Sequence, residues 1–205
     1  MAATNTRYTE KKGLAVRDIV NTGIFTALFF VFYMVGGMIF APNPVLTFYM
    51  PMGSALLCGP VFMVLAAKVH KRWSITILGV ILGLVLFATG MHWAFGLGMI
   101  LMGIVADIVA GLGQYKSIKL DILAYACLSL GSTGSYIVFF INPAAWAGAM
   151  LKNGTAQDYI DTMNASSFAL LPLIVLAGTV VVALFSAWVG SRLLRKQFDR
   201  AGITQ

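Results

Sequence analysis

A chain of 205 residues with 60% hydrophobic and 10% charged residues falls outside the composition of soluble domains, where charged residues approach about a quarter. About 20 apolar residues cross the hydrocarbon of a bilayer, so this length holds about six crossings and leaves no room for a soluble catalytic domain. The formal charge of +7 is better explained by asymmetric loops than by a polyanion-binding surface, which argues against nucleic acid as a partner.

The expected fold class is an all-α integral membrane protein with six transmembrane helices, both termini cytoplasmic, in one domain spanning residues 1–205. The apolar run after Arg17 is too long for a signal-peptide h-region and is read as a retained first crossing, about 14–40. Pro42-Asn43-Pro44 stops it. The second helix, about 45–67, contains Pro51 and Pro60 and is expected to kink or break near Tyr49-Met50-Pro51.

The third helix, about 74–89, carries Gly79 and Gly83 at the spacing that lets helix backbones approach closely. Gly90-Met91-His92-Trp93 turns the chain into the fourth helix, about 94–112, which holds Asp107 near its far end. The fifth, about 120–141, includes the small-residue run Gly131-Ser132-Thr133-Gly134-Ser135, suited to tight contact. Residues 144–167 form the longest loop, with a short amphipathic helix expected around 156–163, and this loop is a candidate lid. The sixth helix is expected over about 168–194. Cys58 and Cys127 lie inside apolar segments without metal-ligand spacing and read as small buried hydrophobes.

Placing the N-terminus inside and alternating the crossings leaves only Lys152 outside. The other 13 of 14 basic residues (Arg7, Lys11, Lys12, Arg17, Lys68, Lys71, Arg72, Lys116, Lys119, Arg192, Arg195, Lys196 and Arg200) fall on one side, which the positive-inside rule makes cytoplasmic. Three loops then meet on the outer face and form a cup for a small ligand. Its candidate residues are Asn43, Tyr49, His92, Trp93, Asn142, Trp146 and Tyr159. Competing structural roles are an aromatic belt for the tryptophans and helix termination beside proline for the asparagines.

Asp107 is the one acidic residue well inside an apolar run, so it should pair, protonate or face water, in a structural or a coupling role. Asp18 beside Arg17 reads as interfacial. Gly23 and Ala27 form a small-residue face on the first helix that either packs within the bundle or docks a partner. An intramembrane serine protease is a weak alternative, because both histidines, His70 and His92, precede the serine run and His70 lies in a basic loop. An ion-coupled transporter would carry more intramembrane charge than Asp107. No phosphate-binding Gly-x-x-x-x-Gly-Lys-Ser/Thr loop is present, so the chain does not hydrolyse ATP itself.

Arg17-Asp18-Ile19-Val20-Asn21, Tyr49-Met50-Pro51, Gly59-Pro60, Lys68-Val69-His70-Lys71, Gly90-Met91-His92-Trp93 and Tyr125-Ala126 together give the chain a resemblance to a family. It resembles the Trep_Strep or MptD-like substrate-binding subunits (S components) of energy-coupling factor (ECF) transporters, over nearly its whole length. The resemblance implies a non-enzymatic six-helix subunit in a bacterial cell membrane that captures a micronutrient from outside: a vitamin, a precursor or a metal chelate such as haem. It implies as partners a transmembrane coupling subunit and two ATPase subunits, with ATP used by those partners and no cofactor or resident metal in this chain. It further implies toppling in the bilayer to release cargo, and docking of the coupling subunit on the first helix. Gly23 and Ala27 there depart from the usual alanine pair. Met91 and His92 are the residues that could hold a chelate's metal.

Overall fold

A computed structural model describes the backbone of residues 13–200 and the side chains of residues 13–194. Arg7, Lys11 and Lys12, and the side chains of Arg195, Lys196 and Arg200, counted above for the charge asymmetry, lie outside the described residues.

The described chain is all helical: α1 (Val16–Met38), α2 (Met50–Lys68), α3 (Ser74–Ala88), α4 (Trp93–Leu112), α5 (Ile118–Leu130), α6 (Gly134–Ile141), α7 (Pro143–Lys152), α8 (Gln157–Ser166) and α9 (Leu171–Arg200). Asp18 starts α1 by accepting the Ala15 backbone N–H at 3.0 Å, which gives the carboxylate a capping role. A 3-10 turn (Leu46–Tyr49) leads into α2, which takes Pro51 in its first turn and continues through Pro60.

The expected fifth helix is split. A 3-10 turn (Gly131–Thr133) separates α5 from α6 within one apolar segment. There Ser132 Oγ donates to Ser129 O at 2.6 Å and Thr133 Oγ1 to Leu130 O at 2.7 Å, offering the carbonyls an alternative to the regular helical ladder. Residues 144–167, expected as a loop with one short helix, instead form most of α7 and all of α8. Asn142 starts α7, its Oδ1 accepting from Ala145 N at 3.0 Å with Pro143 in the first turn.

The long helices close into a ring. α1 packs on α2, α2 on α9, α9 on α5, α5 on α4, α4 on α3, and α3 returns to α1, with α2 and α5 also meeting across the middle. Glycines set the closest joints. A Cβ on Gly79 would stand 2.7 Å from Met99 O, and one on Gly96 would stand 2.6 Å from Gly83 O, so α3 and α4 touch backbone to backbone. Inside the ring lies a core that includes Phe29, Tyr33, Phe62, Leu78, Leu82 and Tyr125. Cys58 is buried there and Cys127 is half-buried, both free thiols.

The outward surface is apolar. Ile24, Val31, Val35, Leu101, Ile108, Leu173 and Val181 are among many exposed aliphatic side chains, far more apolar surface than a water-soluble monomer presents. Among the described residues, five segments are long and apolar enough to cross a bilayer: Val16–Met38, Leu46–Lys68, Trp93–Leu112, Ile118–Ile141 and Leu171–Leu194. α3 is apolar but only 15 residues, roughly 22 Å of helix, short of the usual hydrocarbon thickness of about 30 Å.

Candidate functional site

Gly90 carries φ +85°, a left-handed conformation that glycine adopts without strain, and so turns the chain from α3 toward α4. Next, His92 becomes the N-cap of α4: its Nδ1 accepts the Ala94 backbone N–H at 3.2 Å. With Nδ1 committed as an acceptor, the neutral ring carries its proton on Nε2. The side chain is 2% exposed, and Nε2 has no hydrogen-bond partner.

His92 lines a cavity of about 330 Å³, together with Met91, Phe95, Tyr136, Trp146 and Tyr159 among others. The cavity is bounded by the chain after α1, the α3–α4 turn, α6, and the α7–α8 pair, so the three loop regions expected to converge do converge. Side-chain hydrogen bonds fasten the α7–α8 cover. Trp146 Nε1 donates to Ser135 Oγ at 2.9 Å, Asn153 Nδ2 donates to Gly90 O at 2.8 Å, and Tyr159 Oη donates to Ala41 O at 2.7 Å. Behind them Tyr136 Oη donates to Thr47 O at 2.6 Å. An aromatic wall runs from Trp146, edge-on to Phe139 at 5.1 Å and nearly parallel to His92 at 6.3 Å.

Among the described residues no Lys, Arg, Asp or Glu lines this cavity, and four methionines do: Met50, Met91, Met150 and Met163. Flexible thioethers and aromatic faces form an adaptable apolar surface, in which His92 Nε2–H is a hydrogen-bond donor still without an acceptor. Burial pushes the His92 pKa below its ordinary value of 6.5. The unfolded chain takes up that proton at about 6.5 while the folded one resists it. Stability is therefore expected to be full above 6.5, to fall as pH drops toward the folded value, and to level off below it. Thermal melts of wild type and His92→Gln across this range check this, because the variant should lose that part of the slope.

Of the residues singled out from sequence, His92, Trp146 and Tyr159 meet in the cavity. Asn43, Tyr49, Trp93 and Asn142 do not line it. Asn43 Oδ1 accepts from Val45 N at 2.9 Å and Leu46 N at 3.1 Å, and Asn142 caps α7, so both asparagine side-chain carbonyls serve the backbone. Trp93 is 52% exposed, its ring 5.3 Å from that of His92, and Tyr49 is half-buried in the turn before α2. Sequence reasoning missed Phe95, Ser135 and Tyr136. Ser135 was legible only as a member of a small-residue run, and Tyr136 sits two residues after the glycine that packs against α4.

Asp107 sits at the other end of α4. Its Oδ2 accepts from Trp73 N at 2.8 Å and Thr76 Oγ1 at 3.0 Å, tying the α2–α3 loop and α3 to α4. Gly23 and Ala27 are exposed on α1 while Thr22 and Thr26 are buried, so this small-residue face does not pack against the rest of the described residues. Ser132 lies buried with its hydroxyl donating to Ser129 O, and His92 makes no hydrogen bond to a serine.

In comparison with known proteins, residues 16–200 match a family described as "hypothetical bacterial integral membrane protein (Trep_Strep)". No curated protein and no solved structure matches the chain.

Proposed function

Since the chain belongs to the Trep_Strep family of bacterial integral membrane proteins and is thus a multi-pass membrane protein, we propose that it is the substrate-binding S component of an ECF-type importer. It captures a micronutrient in the His92 cavity and delivers it with a separate coupling subunit and two ATPase subunits. The observation that carries this reading is the cavity itself: about 330 Å³, covered by α7 and α8, without a charged side chain among the described residues that line it, and offering a buried unpartnered donor at His92. Such a site holds and orients a small molecule. It does not supply the paired acid and base that a hydrolytic reaction needs.

The ligand this site suits is small and largely apolar, with an aromatic or thioether-compatible face and one acceptor, a carbonyl or ring nitrogen, for His92 Nε2–H. A chelate bound through its metal would require Nε2 to give up its proton. Metal-bound imidazoles normally carry the proton on the other nitrogen, which here accepts from Ala94. A vitamin or vitamin precursor therefore fits better than a metal-ligated chelate.

In this reading α3 is the sixth crossing, and the basic residues of the α2–α3 and α4–α5 loops support a cytoplasmic location for that end and for both termini. The cavity then faces outward. Gly23 and Ala27, exposed on α1, supply a small-residue surface for the coupling subunit. The test is uptake into vesicles: substrate accumulation should require the coupling subunit, both ATPases and ATP, whereas binding should not. Accumulation by this chain alone, driven by an ion gradient, would overturn the proposal in favour of a self-sufficient transporter.

A further inference from the structure

A second cavity of about 330 Å³ lies at the opposite end of α4, between the α2–α3 loop and the α4–α5 loop. Phe95 lines the first cavity and Asp107 the second, so along α4 the two are roughly 18 Å apart. Trp73, Gln114 and Tyr115 are the non-glycine residues with positive φ among those described, at 78°, 53° and 57°. Two of them, Trp73 and Tyr115, line this cavity. Backbone strain of this kind persists only where surrounding contacts hold it, and it is concentrated here.

The polar end of the cavity is built from Asp107, Arg72, Thr76 and Tyr115. Asp107 is 4% exposed. Its Oδ2 is satisfied by Trp73 N and Thr76 Oγ1, but its Oδ1 is buried without a hydrogen-bond partner. Tyr115 Oη donates to the Asp107 carbonyl oxygen at 3.3 Å and makes no hydrogen bond to Oδ1. Arg72 does not take the vacant oxygen either, because its guanidinium lies over the Trp73 ring at 4.9 Å. An oxygen in this state has room for a hydrogen-bond donor from outside the chain, and a cationic N–H is the strongest partner for a carboxylate. The guanidinium beside it calls for an anion. The remaining wall is aliphatic and open to the surroundings: Ile104, Ile108 and Leu112 are 37%, 60% and 75% exposed.

We propose that this cavity is a binding site for a phospholipid whose headgroup joins a free ammonium to a phosphate. The ammonium donates to Asp107 Oδ1, the phosphate pairs with Arg72, and an acyl chain runs along Ile104, Ile108 and Leu112. The groove lies beside the basic end of the bundle, with Lys68 closing α2, Lys116 in the α4–α5 loop and Lys119 opening α5, where phospholipid headgroups gather. A trimethylated ammonium has no N–H to give Asp107, and a glycerol headgroup has no cation. The site should therefore separate phosphatidylethanolamine from phosphatidylcholine and phosphatidylglycerol. Arg72 and Tyr115 are the other titratable groups lining the cavity, and the Tyr115 hydroxyl is pushed up to about 12 by burial and by Asp107, so it stays protonated.

The test is native mass spectrometry of the full chain released from nanodiscs holding equal parts of the three lipids. Phosphatidylethanolamine should be retained about tenfold over phosphatidylcholine, and Asp107→Asn should remove most of that preference. Asp107 also anchors the α2–α3 loop, so Arg72→Gln, at an exposed side chain, and Ile108→Trp, which fills the apolar groove, serve as variants that keep the anchor. Both should reduce phosphatidylethanolamine retention several-fold. Equal retention of all three lipids by wild type, the result expected if Asp107 holds only water, overturns the proposal. So does phosphatidylethanolamine retention unchanged in Arg72→Gln and Ile108→Trp. The His92 cavity lies at the other end of α4, so ligand capture there is read separately and stands or falls on its own.

Discussion

Replacing Trp146 with alanine is expected to lower stability by about 3–5 kcal/mol and to abolish ligand capture. The side chain is 4% exposed, its ring packs edge-on against Phe139, and its Nε1 donates to Ser135. It is thus the joint that holds α7 against α6. Removing the ring leaves a void between the cover and the bundle and takes away the aromatic face parallel to His92. Trp146→Phe separates the two contributions. It keeps most of the ring contact but leaves Ser135 Oγ without its donor, so stability should fall by about 1 kcal/mol and binding should weaken without vanishing. Thermal unfolding in detergent and ligand titration measure both. Unimpaired capture by Trp146→Ala would show that the cover does not form the site.

The second large effect is expected at Gly134. A Cβ there would run into the Ala94 carbonyl oxygen, and on the facing helix a Cβ on Gly98 would run into the Gly131 carbonyl. Backbone meets backbone at this crossing, so no flexible side chain can yield. Gly134→Val must push α4 and α6 apart, which should cost at least the upper end of the roughly 1–3 kcal/mol typical of overpacking. It also moves the His92 end of α4 away from Ser135 and Tyr136, so binding should be lost with it. Gly148 on α7 is the control: a Cβ there meets nothing within 4 Å, and Gly148→Ala should be neutral or stabilising by up to about 1 kcal/mol. Melting temperatures of the two variants test the contrast directly.

The long apolar segments were legible because a membrane-spanning helix is written in composition, and their observed bounds differ from the expected ones by a few residues. The break inside the fifth helix was not. Gly131 to Ser135 announced tight packing, but whether such a run stays α-helical depends on hydroxyls that bond back to Ser129 and Leu130, and the same stretch packs closely on the α4 backbone. The α7–α8 cover was half legible. A helix near 156–163 showed in its polar and apolar pattern, whereas Pro143 to Lys152, short and rich in alanine, carried no strong period and became helix because Asn142 and Pro143 start it and Trp146 anchors it.

Within the site, His92 stood out as a histidine between two apolar segments, and the structure shows it both capping α4 and lining the cavity. The asparagines beside proline looked alike in sequence whether they cap or bind. Only their hydrogen bonds to the backbone just after them decide: Asn43 closes a turn and Asn142 caps α7. Tyr136 was invisible as a site residue because an aromatic in an apolar helix looks the same facing a cavity or a lipid.

The His92 cavity is expected to hold a small nutrient in the absence of any partner. Native mass spectrometry of the chain purified in mild detergent, with an absorbance spectrum of the same sample and of His92→Ala, tests it most directly. The account predicts a discrete co-purified molecule of a few hundred daltons, without a chelate's visible bands, and occupancy reduced about tenfold or more in His92→Ala, the loss expected from removing one buried hydrogen bond and the cap that orients it. A folded wild-type protein that carries no small molecule and takes none up from a vitamin and precursor mixture would contradict it, as would a ligand retained equally by His92→Ala.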